Sequence, residues 1–308
     1  MKLSVQTGGI IERFSIEETY KLIAQAGFEA VDWNIDHAWA SRGAEFDEKG
    51  DLCGCIFDHQ MEEILAFYEP ELRAIRENGL VIGQCHAPFP AFKPDQPEFL
   101  DYAIGVYKKI IEFCGIAGCP YIVIHGYSRR AGTGLRPADV DRINEKLYTS
   151  LIPELQKTPS VVVCMENLQA GSTPEKRISG HCHEVQSAID CIDGMNRLAG
   201  REAFGLCLDT GHLFLMHKDV FQYVPALGKR IKILHVHDND GFNDQHLAPY
   251  AGKIPWEDYL DALHEAGYRG TLNFETFAQM KKSPDALFAP MLSHIANIGK
   301  YFISRIEG

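Results

Sequence analysis

The stretch Phe204-Gly-Leu-Cys-Leu-Asp-Thr-Gly-His212 is a short apolar run that ends on a carboxylate, with an imidazole three residues later. This order predicts a buried strand that delivers Asp209 at its C-terminal end. Gly211 lets the backbone turn sharply there. His212 is therefore expected in the loop that follows, close enough to share an ion or a substrate with Asp209.

Three further apolar runs in the second half of the chain also close on a side chain that can bind a metal ion. They are Val161-Val-Val-Cys-Met-Glu166, Lys232-Ile-Leu-His-Val-His237 and Thr271-Leu-Asn-Phe-Glu275. Two earlier runs, Leu80–His86 and Tyr121–His125, end on histidine in the same way. One such run is weak evidence, but the repetition is difficult to assign to packing alone.

Strand and helix patterns alternate along the chain, with a strand-then-helix unit at roughly every 30 to 40 residues, as in α/β barrels. The predicted strands are Leu3–Gln6, Ala30–Ile35, Leu80–His86, Tyr121–His125, Val161–Glu166, Phe204–Asp209, Ile231–His237 and Thr271–Glu275. The first predicted helix begins after the N-cap Ser15 and ends at Gly27, and a long Gly/Ser/Thr/Pro loop is expected after the fifth strand, through Gly180. This pattern predicts one (β/α)8 barrel domain over residues 1–308, with its site on the C-terminal face.

An open, doubly wound sheet is the competing architecture. Such a sheet gathers its site at one switch point and not around the whole ring of strands. No Gly-x-Gly-x-x-Gly motif follows the first strand, and this absence also favours the barrel.

Composition limits the classes of partner. The 308 residues are 45% hydrophobic, which is enough for a large core, and the formal net charge is -12. A surface of this charge repels polyanions, so we expect no nucleic acid partner. The chain starts without a basic segment followed by an apolar one, and no apolar stretch reaches the roughly 18 residues of a membrane span, so we expect a soluble, cytoplasmic protein without a membrane partner. The 9 scattered Cys favour reduced thiols over a disulfide framework.

Four of the strand-end residues form the primary candidate for a metal site: Glu166, Asp209, His237 and Glu275, from consecutive strands five to eight. Carboxylates and neutral imidazoles without thiolates suit a divalent cation such as Mn, Mg, Co or Zn. Each residue alone could be a satisfied buried polar group. Together, four ionisable groups at one end of a barrel would be costly without a cation.

Other histidines are less clearly assigned. His235 and His237 have the same strand parity, and His237 is preferred as a ligand because it is nearer the strand end, whereas His235 is expected a layer deeper as a hydrogen-bonded core residue. The Asp244-Gln-His246 spacing can turn both side chains toward one ligand, although a solvated loop is the alternative. His181 and His183 follow a predicted loop and are expected at the surface.

The residues resemble the xylose-isomerase-like barrel superfamily, which holds sugar isomerases and epimerases, inosose-processing enzymes and the type IV apurinic endonucleases. The resemblance covers nearly the whole chain. It rests on His86-Ala-Pro-Phe, Glu166-Asn-Leu, Leu208-Asp-Thr-Gly-His212, His235-Val-His-Asp-Asn-Asp240, the run from Asp244 to Trp256, and Phe274-Glu275.

In the epimerase branch, the matching positions imply that Glu166, Asp209, His237 and Glu275 bind one divalent ion and that the two glutamates also serve as catalytic acid and base. His212 would then hold substrate. We expect the other strand-end and loop residues to complete the substrate site; these are His86, His125, Asp244 and His246.

In the endonuclease branch three zinc ions are bound. The positions that match that pattern are His86, His125, Glu166, Asp209, His212, His237, Asp244, His246 and Glu275, and all are present in type. This branch implies a zinc-dependent phosphoesterase, yet the negative charge opposes DNA binding, and the loops lack the clustered Arg and Lys that a phosphate backbone needs.

The chain also departs from the ketose 3-epimerases. These enzymes carry a glutamate shortly after the first metal glutamate, where this chain has Ser172, and an arginine in the loop after strand seven, where Phe242 and Asn243 stand. The resemblance therefore implies the wider class and not epimerisation of a free ketose at carbon 3.

Three functions follow as hypotheses. The first is a metal-dependent isomerase or epimerase of a sugar, sugar-phosphate or polyol-derived substrate, in which one glutamate removes a carbon-bound proton and the other returns it. The second is a phosphoesterase or endonuclease with two or three zinc ions. The third is a barrel that only binds sugars. The expected partner is a small carbohydrate, and the chain could form a homo-oligomer.

Overall fold

Eight parallel strands form the central sheet of the computed structural model, which describes residues 1–35, 45–46, 52–128, 133–173 and 176–308. In chain order they are β1 Leu3–Gln6, β2 Ala30–Asn34, β3 Val81–His86, β4 Tyr121–Val123, β5 Val162–Glu166, β6 Phe204–Asp209, β7 Ile231–His235 and β8 Leu272–Phe274. From β1 to β7, consecutive strands pair in parallel, and β1 also pairs with β8.

The sheet closes between β7 and β8. Val236, just beyond β7, forms a parallel bridge with Phe274. The amide of Val236 donates to the carbonyl of Asn273 at 2.9 Å, and the amide of Glu275 donates to the carbonyl of Val236 at 3.0 Å. The predicted (β/α)8 barrel is therefore confirmed.

Helices surround the strands. Those of the described residues are α1 Ile16–Ala26, α2 Met61–Glu77, α3 Phe99–Ala117, α4 Pro137–Lys157, α5 Val185–Ala199, α6 Thr210–Leu215, α7 Val220–Leu227, α8 Trp256–Glu265, α9 Phe277–Lys281 and α10 Asp285–Glu307. The first helix has the predicted residues at both of its ends. The side chain of Ser15 caps it by accepting from the amide of Glu18, and Gly27 ends it with φ at 101°, which glycine adopts without strain.

Several segments that follow strands differ from the sequence-based expectation. The expected loop after β5 contains an antiparallel hairpin, Gln169–Thr173 with Lys176–Ser179. A second short hairpin pairs Glu45–Phe46 with Leu52–Gly54. The helix α6 directly follows β6, where a loop carrying His212 was expected. Composition rich in Gly, Ser and Thr does not distinguish a loop from a short hairpin, because hairpin turns use the same residues.

A buried polar layer fills the middle of the barrel. One carboxylate oxygen of Asp32, Oδ2, accepts from the amide of Gln84 at 3.1 Å and from the amide of Asn273 at 2.8 Å. All three side chains are fully buried. No helix of the described ranges is both long and apolar enough to cross a membrane.

Candidate metal centre

All of the predicted site residues lie at the C-terminal end of the barrel. His86, Glu166 and Asp209 are the last residues of β3, β5 and β6, His125 and His237 lie two residues beyond β4 and β7, Glu275 directly follows β8, His212 is in α6, and Asp244 and His246 are in the loop between β7 and α8. Since parallel strands end at one rim, these side chains meet although they are distant in sequence.

Glu166 lies at the centre of the group. Its Oε2 is 2.9 Å from Nε2 of His125 and 3.9 Å from Nε2 of His86. The two imidazoles approach each other to 3.0 Å, and Nδ1 of His86 contacts the carbonyl of Ala87 at 2.7 Å. The other carboxylate oxygen of Glu166, Oε1, is 3.1 Å from Nδ1 of His212. One carboxylate therefore joins ligand-type side chains from β3, β4 and α6.

Asp209 is fixed by backbone contacts. Its Oδ1 accepts from the amide of His212 at 2.6 Å and so caps α6. The Asn167 amide donates to the carbonyl of Asp209, and Asn167 Oδ1 accepts from the Asp209 amide. Oδ2 then faces Nε2 of His237 at 3.1 Å. A Cβ at Gly211 would lie 2.0 Å from the His237 ring, so the glycine is needed for this close approach. Gly211 lies in the first turn of α6 and is not among the glycines with positive φ, so the turn expected there does not require a glycine.

Glu275 has a partner that the sequence analysis did not identify. Nε2 of Gln6, the last residue of β1, donates to its Oε1 at 3.0 Å. Its Oε2 lies 3.5 Å from Nδ1 of His235 and 3.4 Å from Nδ1 of His246. Gln6 follows the same strand-end pattern as the predicted ligands, and this position was the available signal for it.

His235 is closer to the site than expected. It is fully buried, with Nε2 at 3.4 Å from Asp32 and Nδ1 at 3.3 Å from Oε2 of Glu166. The ring therefore lies between the polar layer below and both glutamates above.

Asp244 and His246 turn into the site, as the Asp-x-His spacing predicts. Oδ2 of Asp244 lies 3.1 Å from Nε2 of His212 and 3.4 Å from Nε2 of His246. The His246 ring stacks on His237 with centroids 4.0 Å apart. Asp244 is exposed at the rim and His246 is half-buried, so this loop is partly solvated while both side chains face the other histidines of the site.

The expectation of a surface position for His183 is wrong, because this residue is fully buried, with its ring 6.5 Å from that of Tyr223 in α7. The chain returns beneath the hairpin after β5 and carries His183 against the helical layer. His181 is partly buried and stacks on Tyr148.

The electrostatics of the centre show an excess of buried negative charge. Burial by itself raises the pKa of Glu166, but the nearby imidazoles of His125 and His235 hold that pKa well below its ordinary value. Burial by itself lowers the pKa of His246, but the Glu275 and Asp244 carboxylates raise it to about 9. Carboxylates that raise the pKa of neighbouring imidazoles in this way also favour a metal cation bound between them.

Burial separates the glutamates from the other two members of the quartet. A cavity of about 850 Å³ opens above the barrel, and Glu166 and Glu275 line it. Asp209 and His237 have no exposed surface and lie beneath it. All four side chains fit a divalent ion in type, and Nδ1 of His237 is buried without a hydrogen bond to any described residue. The glutamates can therefore touch an ion and a substrate, whereas Asp209 and His237 can touch only the ion.

This arrangement of barrel and rim agrees with a match to a family model. Residues 20–296 match the model described as xylose isomerase-like TIM barrel. The chain belongs to this family.

The proteins to which this chain is similar are named for different activities. The chain is 27% identical over 248 residues to "Probable endonuclease 4" of Mycoplasma genitalium, covering 76% of this chain and 75% of the relative. It is 19% identical to the inosose isomerase of Bacillus velezensis, covering 90% and 89%. The crystal structure of a 3-keto-D-glucoside 4-epimerase from E. coli superposes with a TM-score of 0.69 at 14% identity, covering 96% of this chain and 99% of that one, and this likeness shows the fold alone.

Proposed function

We propose that the protein is a divalent-metal-dependent isomerase or epimerase of a sugar or of a related polyhydroxy carbonyl compound. The observation that carries this proposal is the position of the two glutamates. Oε2 of Glu166 and Oε2 of Glu275 lie 3.3 Å and 3.5 Å from the same atom, Nδ1 of His235. Two carboxylates from β5 and β8 therefore face one point at the floor of the cavity.

Glu166, Asp209, His237 and Glu275 would hold the ion. When bound, the ion would polarise a carbonyl and an adjacent hydroxyl of the substrate and so lower the pKa of the carbon-bound proton. Asp209 and His237 would serve the ion alone, because they are fully buried.

The two glutamates are suited to move the proton. Both line the cavity, and they reach it from strands on different sides of the barrel axis. One carboxylate would remove a proton from carbon and the other would return it at the same or the neighbouring carbon. Gln6 donates to Oε1 of Glu275 and would fix the orientation of this carboxylate.

The remaining rim residues would bind hydroxyl groups. His86, His125, His212, Asp244 and His246 all line the cavity. Imidazoles and a carboxylate offer both donors and acceptors to a polyol. Phe89, 48% exposed and part of the same lining, offers an apolar surface for the face of a sugar ring.

The test is a panel of free and phosphorylated sugars, inososes and keto sugars, assayed with Mn, Co, Mg and Zn after the protein has been stripped with a chelator. We expect turnover that depends on added metal, about one ion per chain at saturation by the quartet, and exchange of a substrate C–H into solvent D2O. A protein that binds metal and sugar without turning over any member of the panel would instead be a binding module.

A second candidate is a zinc-dependent phosphoesterase, and a specific observation favours it. Donor atoms of His86, His125 and Glu166 lie within 4.8 Å of one another, and so do those of His237, Asp244 and His246. Each group shares one member with the quartet, Glu166 or His237, and adds two further donors, so the rim has donors for more than one ion. The relative named "Probable endonuclease 4" points the same way.

Charge weighs against a nucleic acid substrate. Of the described residues that line the cavity, the carboxylates are Glu12, Asp95, Glu166, Asp244 and Glu275, and the cationic side chains are Lys93 and Lys281. A DNA backbone needs clustered cations. Three zinc ions per chain with metal-dependent cleavage of abasic DNA would reverse the order of the two candidates.

A further inference from the structure

A second set of metal-type donors lies on the outer face of β5, away from the cavity. It consists of Met165, His181, Cys182 and Cys191, which we call the soft cluster. Met165 precedes Glu166 in β5, and successive side chains of a strand point to opposite faces, so Met165 points out of the barrel toward α5. His181 and Cys182 lie between the hairpin and α5, and Cys191 is in α5. Three separate segments thus supply four donors.

Four of the six distances between these donors are close to the edge of a coordination tetrahedron. Sδ of Met165 is 3.6 Å from Sγ of Cys191 and 3.9 Å from Sγ of Cys182. Nε2 of His181 is 3.8 Å from Sγ of Cys182 and 3.9 Å from Sγ of Cys191. The two thiols and the imidazole lie within 4.8 Å of one another. Sulfur and nitrogen ligands at tetrahedral angles around one ion are about 3.5 to 3.8 Å apart, given their usual metal–ligand lengths.

The surrounding structure holds the donors in place. Met165 is fully buried and Cys182 is 3% exposed. The His181 ring stacks on Tyr148 at 5.4 Å, and a Cβ at Gly126 would lie 2.5 Å from its Cγ. The ring is therefore confined on both sides while its Nε2 faces the sulfur atoms.

We propose that the soft cluster binds a thiophilic d10 cation through two thiolates, an imidazole and a thioether. The thioether selects Cu(I) over Zn(II), because methionine sulfur is a soft ligand that Cu(I) accepts and Zn(II) rarely uses. The site is separate from the hard-donor centre on the inner face of the same strand.

Occupation of the soft cluster would also fix one wall of the cavity. The carbonyl of His181 accepts from the amide of Leu168 at 2.9 Å, and Leu168 lines the cavity. A bound ion would hold His181 and, through this hydrogen bond, the segment that enters the hairpin.

Another group of thiols provides a contrast. Sγ of Cys85 and Sγ of Cys114 are 3.3 Å apart, which is shorter than a tetrahedral edge, and Sγ of Cys119 donates to the carbonyl of Tyr121 at 3.2 Å. These thiols are packed against one another and against the backbone. Cys119→Ser keeps a donor for the same carbonyl and is a matched control.

The experiment uses the full, reduced protein under anaerobic conditions. Cu(I) affinity is measured by competition with the chelator bathocuproine disulfonate, and Co(II) loading is followed through the sulfur-to-cobalt charge-transfer band, which the oxygen and nitrogen donors of Glu166, Asp209, His237 and Glu275 cannot produce. Because Sγ of Cys207 lies within 4.8 Å of ligand atoms of Glu166 and His235, Cys207→Ser is included, and the band should survive it. We expect one equivalent of Cu(I). Cys182→Ser and Cys191→Ser should each weaken Cu(I) binding by at least about 100-fold. Loss of a residue that only orients a ligand costs up to about 100-fold, and loss of the ligand itself should cost at least as much.

Met165→Leu conserves volume and removes only the thioether. We expect about 10-fold weaker Cu(I) binding, with Zn(II) binding unchanged. Cys119→Ser should change neither. Asp209→Asn, which removes a donor of the inner centre, should leave the sulfur-to-cobalt band intact, and thermal melts followed by circular dichroism check that each variant is folded.

Several results would overturn the proposal. One is a wild-type protein without the charge-transfer band. Another is a band that survives both Cys182→Ser and Cys191→Ser, or that disappears in Cys119→Ser. A disulfide between Cys182 and Cys191 in protein purified without reductant, resistant to mild thiols, would assign the pair to a redox bond instead.

Discussion

The same strands place apolar side chains at one end of the barrel interior and ionisable side chains at the other. At the lower end, the inward side chains form a buried apolar cluster made of Val123, Cys164, Cys207 and Ile233. Two residues further along β4 to β7, the inward side chains are His125, Glu166, Asp209 and His235. On each of these strands, one pleat thus separates a residue of the apolar cluster from a residue of the candidate site.

The boundary between the two ends is the polar layer around Asp32. Its Oδ2 accepts from Gln84 and Asn273 and lies 3.4 Å from Nε2 of His235. The apolar cluster below and the hydrophobic shell outside supply the stability. The upper end can therefore hold several ionisable groups that the stability of the fold does not depend on.

The largest effect should come from removing a buried donor at the upper end. Asp209→Asn and His237→Ala should each weaken divalent-metal binding by at least about 100-fold, because each removes a direct ligand and not a supporting partner. The far-ultraviolet circular dichroism should stay that of a folded barrel. Metal content by mass spectrometry after dialysis measures the loss.

Asp258→Asn and His59→Ala are the matched controls, because both residues are exposed. Both controls should keep full metal content. Full metal content in Asp209→Asn and in His237→Ala would show that the quartet is not the metal site.

This division explains why much of the site could be predicted from the sequence. Glu166, Asp209, His237 and Glu275 each close an apolar run, and a short continuous apolar run bounded by turn signals is consistent with a buried strand. The barrel follows from eight such runs separated by helices. Of the residues that were missed, Gln6 has the strand-end signal, whereas Asp32 does not. Asp32 sits in the middle of β2 and looks like an isolated polar residue.

Other features depend on contacts that only the folded chain makes. The hairpin after β5 has the composition of a loop, and the burial of His183 depends on α7, which lies far along the chain. The soft cluster combines Met165, which looks like a packing residue in the sequence, with thiols from two other segments. No spacing rule connects these donors, because their proximity is created by the packing of α5 on β5.

The second prediction separates metal binding from proton transfer at the upper end. Glu275→Gln keeps a carbonyl oxygen for the ion but cannot accept a proton from carbon. Turnover and exchange of the substrate C–H with D2O should fall by about 10²- to 10⁴-fold, while Mn or Zn and substrate still bind. Glu265→Gln, at an exposed position, should behave as wild type.

Two results would change the mechanism. Near-wild-type exchange in Glu275→Gln would make Glu275 a ligand only and would move the base to Glu166 or His212. Turnover by the wild type without any solvent exchange would indicate a hydride shift in place of proton transfer.

A smaller effect is expected at Gln6, which positions Glu275 without reaching the ion. Gln6→Leu removes the 3.0 Å hydrogen bond to Oε1. We expect kcat to fall by about 10- to 100-fold, as for other residues that orient a metal ligand, with little change in the substrate KM. Steady-state kinetics at saturating metal measures this split. Gln186→Leu, on the exposed face of α5, is the control, and an unchanged kcat in Gln6→Leu would show that Glu275 needs no such support.

The smallest effect should come from the lower end. Ile233 is fully buried in the apolar cluster, on the same face of β7 as His235. Ile233→Val removes one methylene and should lower the free energy of unfolding by about 0.5 to 1.5 kcal/mol through lost packing. Urea titration should show a lower midpoint with an unchanged slope, because the surface exposed on unfolding stays the same. Metal content and turnover should stay at wild-type values, since Ile233 is not one of the described residues that line the cavity. If Ile233→Val lost metal or turnover while remaining folded, the apolar cluster would be setting the positions of the ligands one pleat above it, and the two ends of the barrel could not be treated as separate.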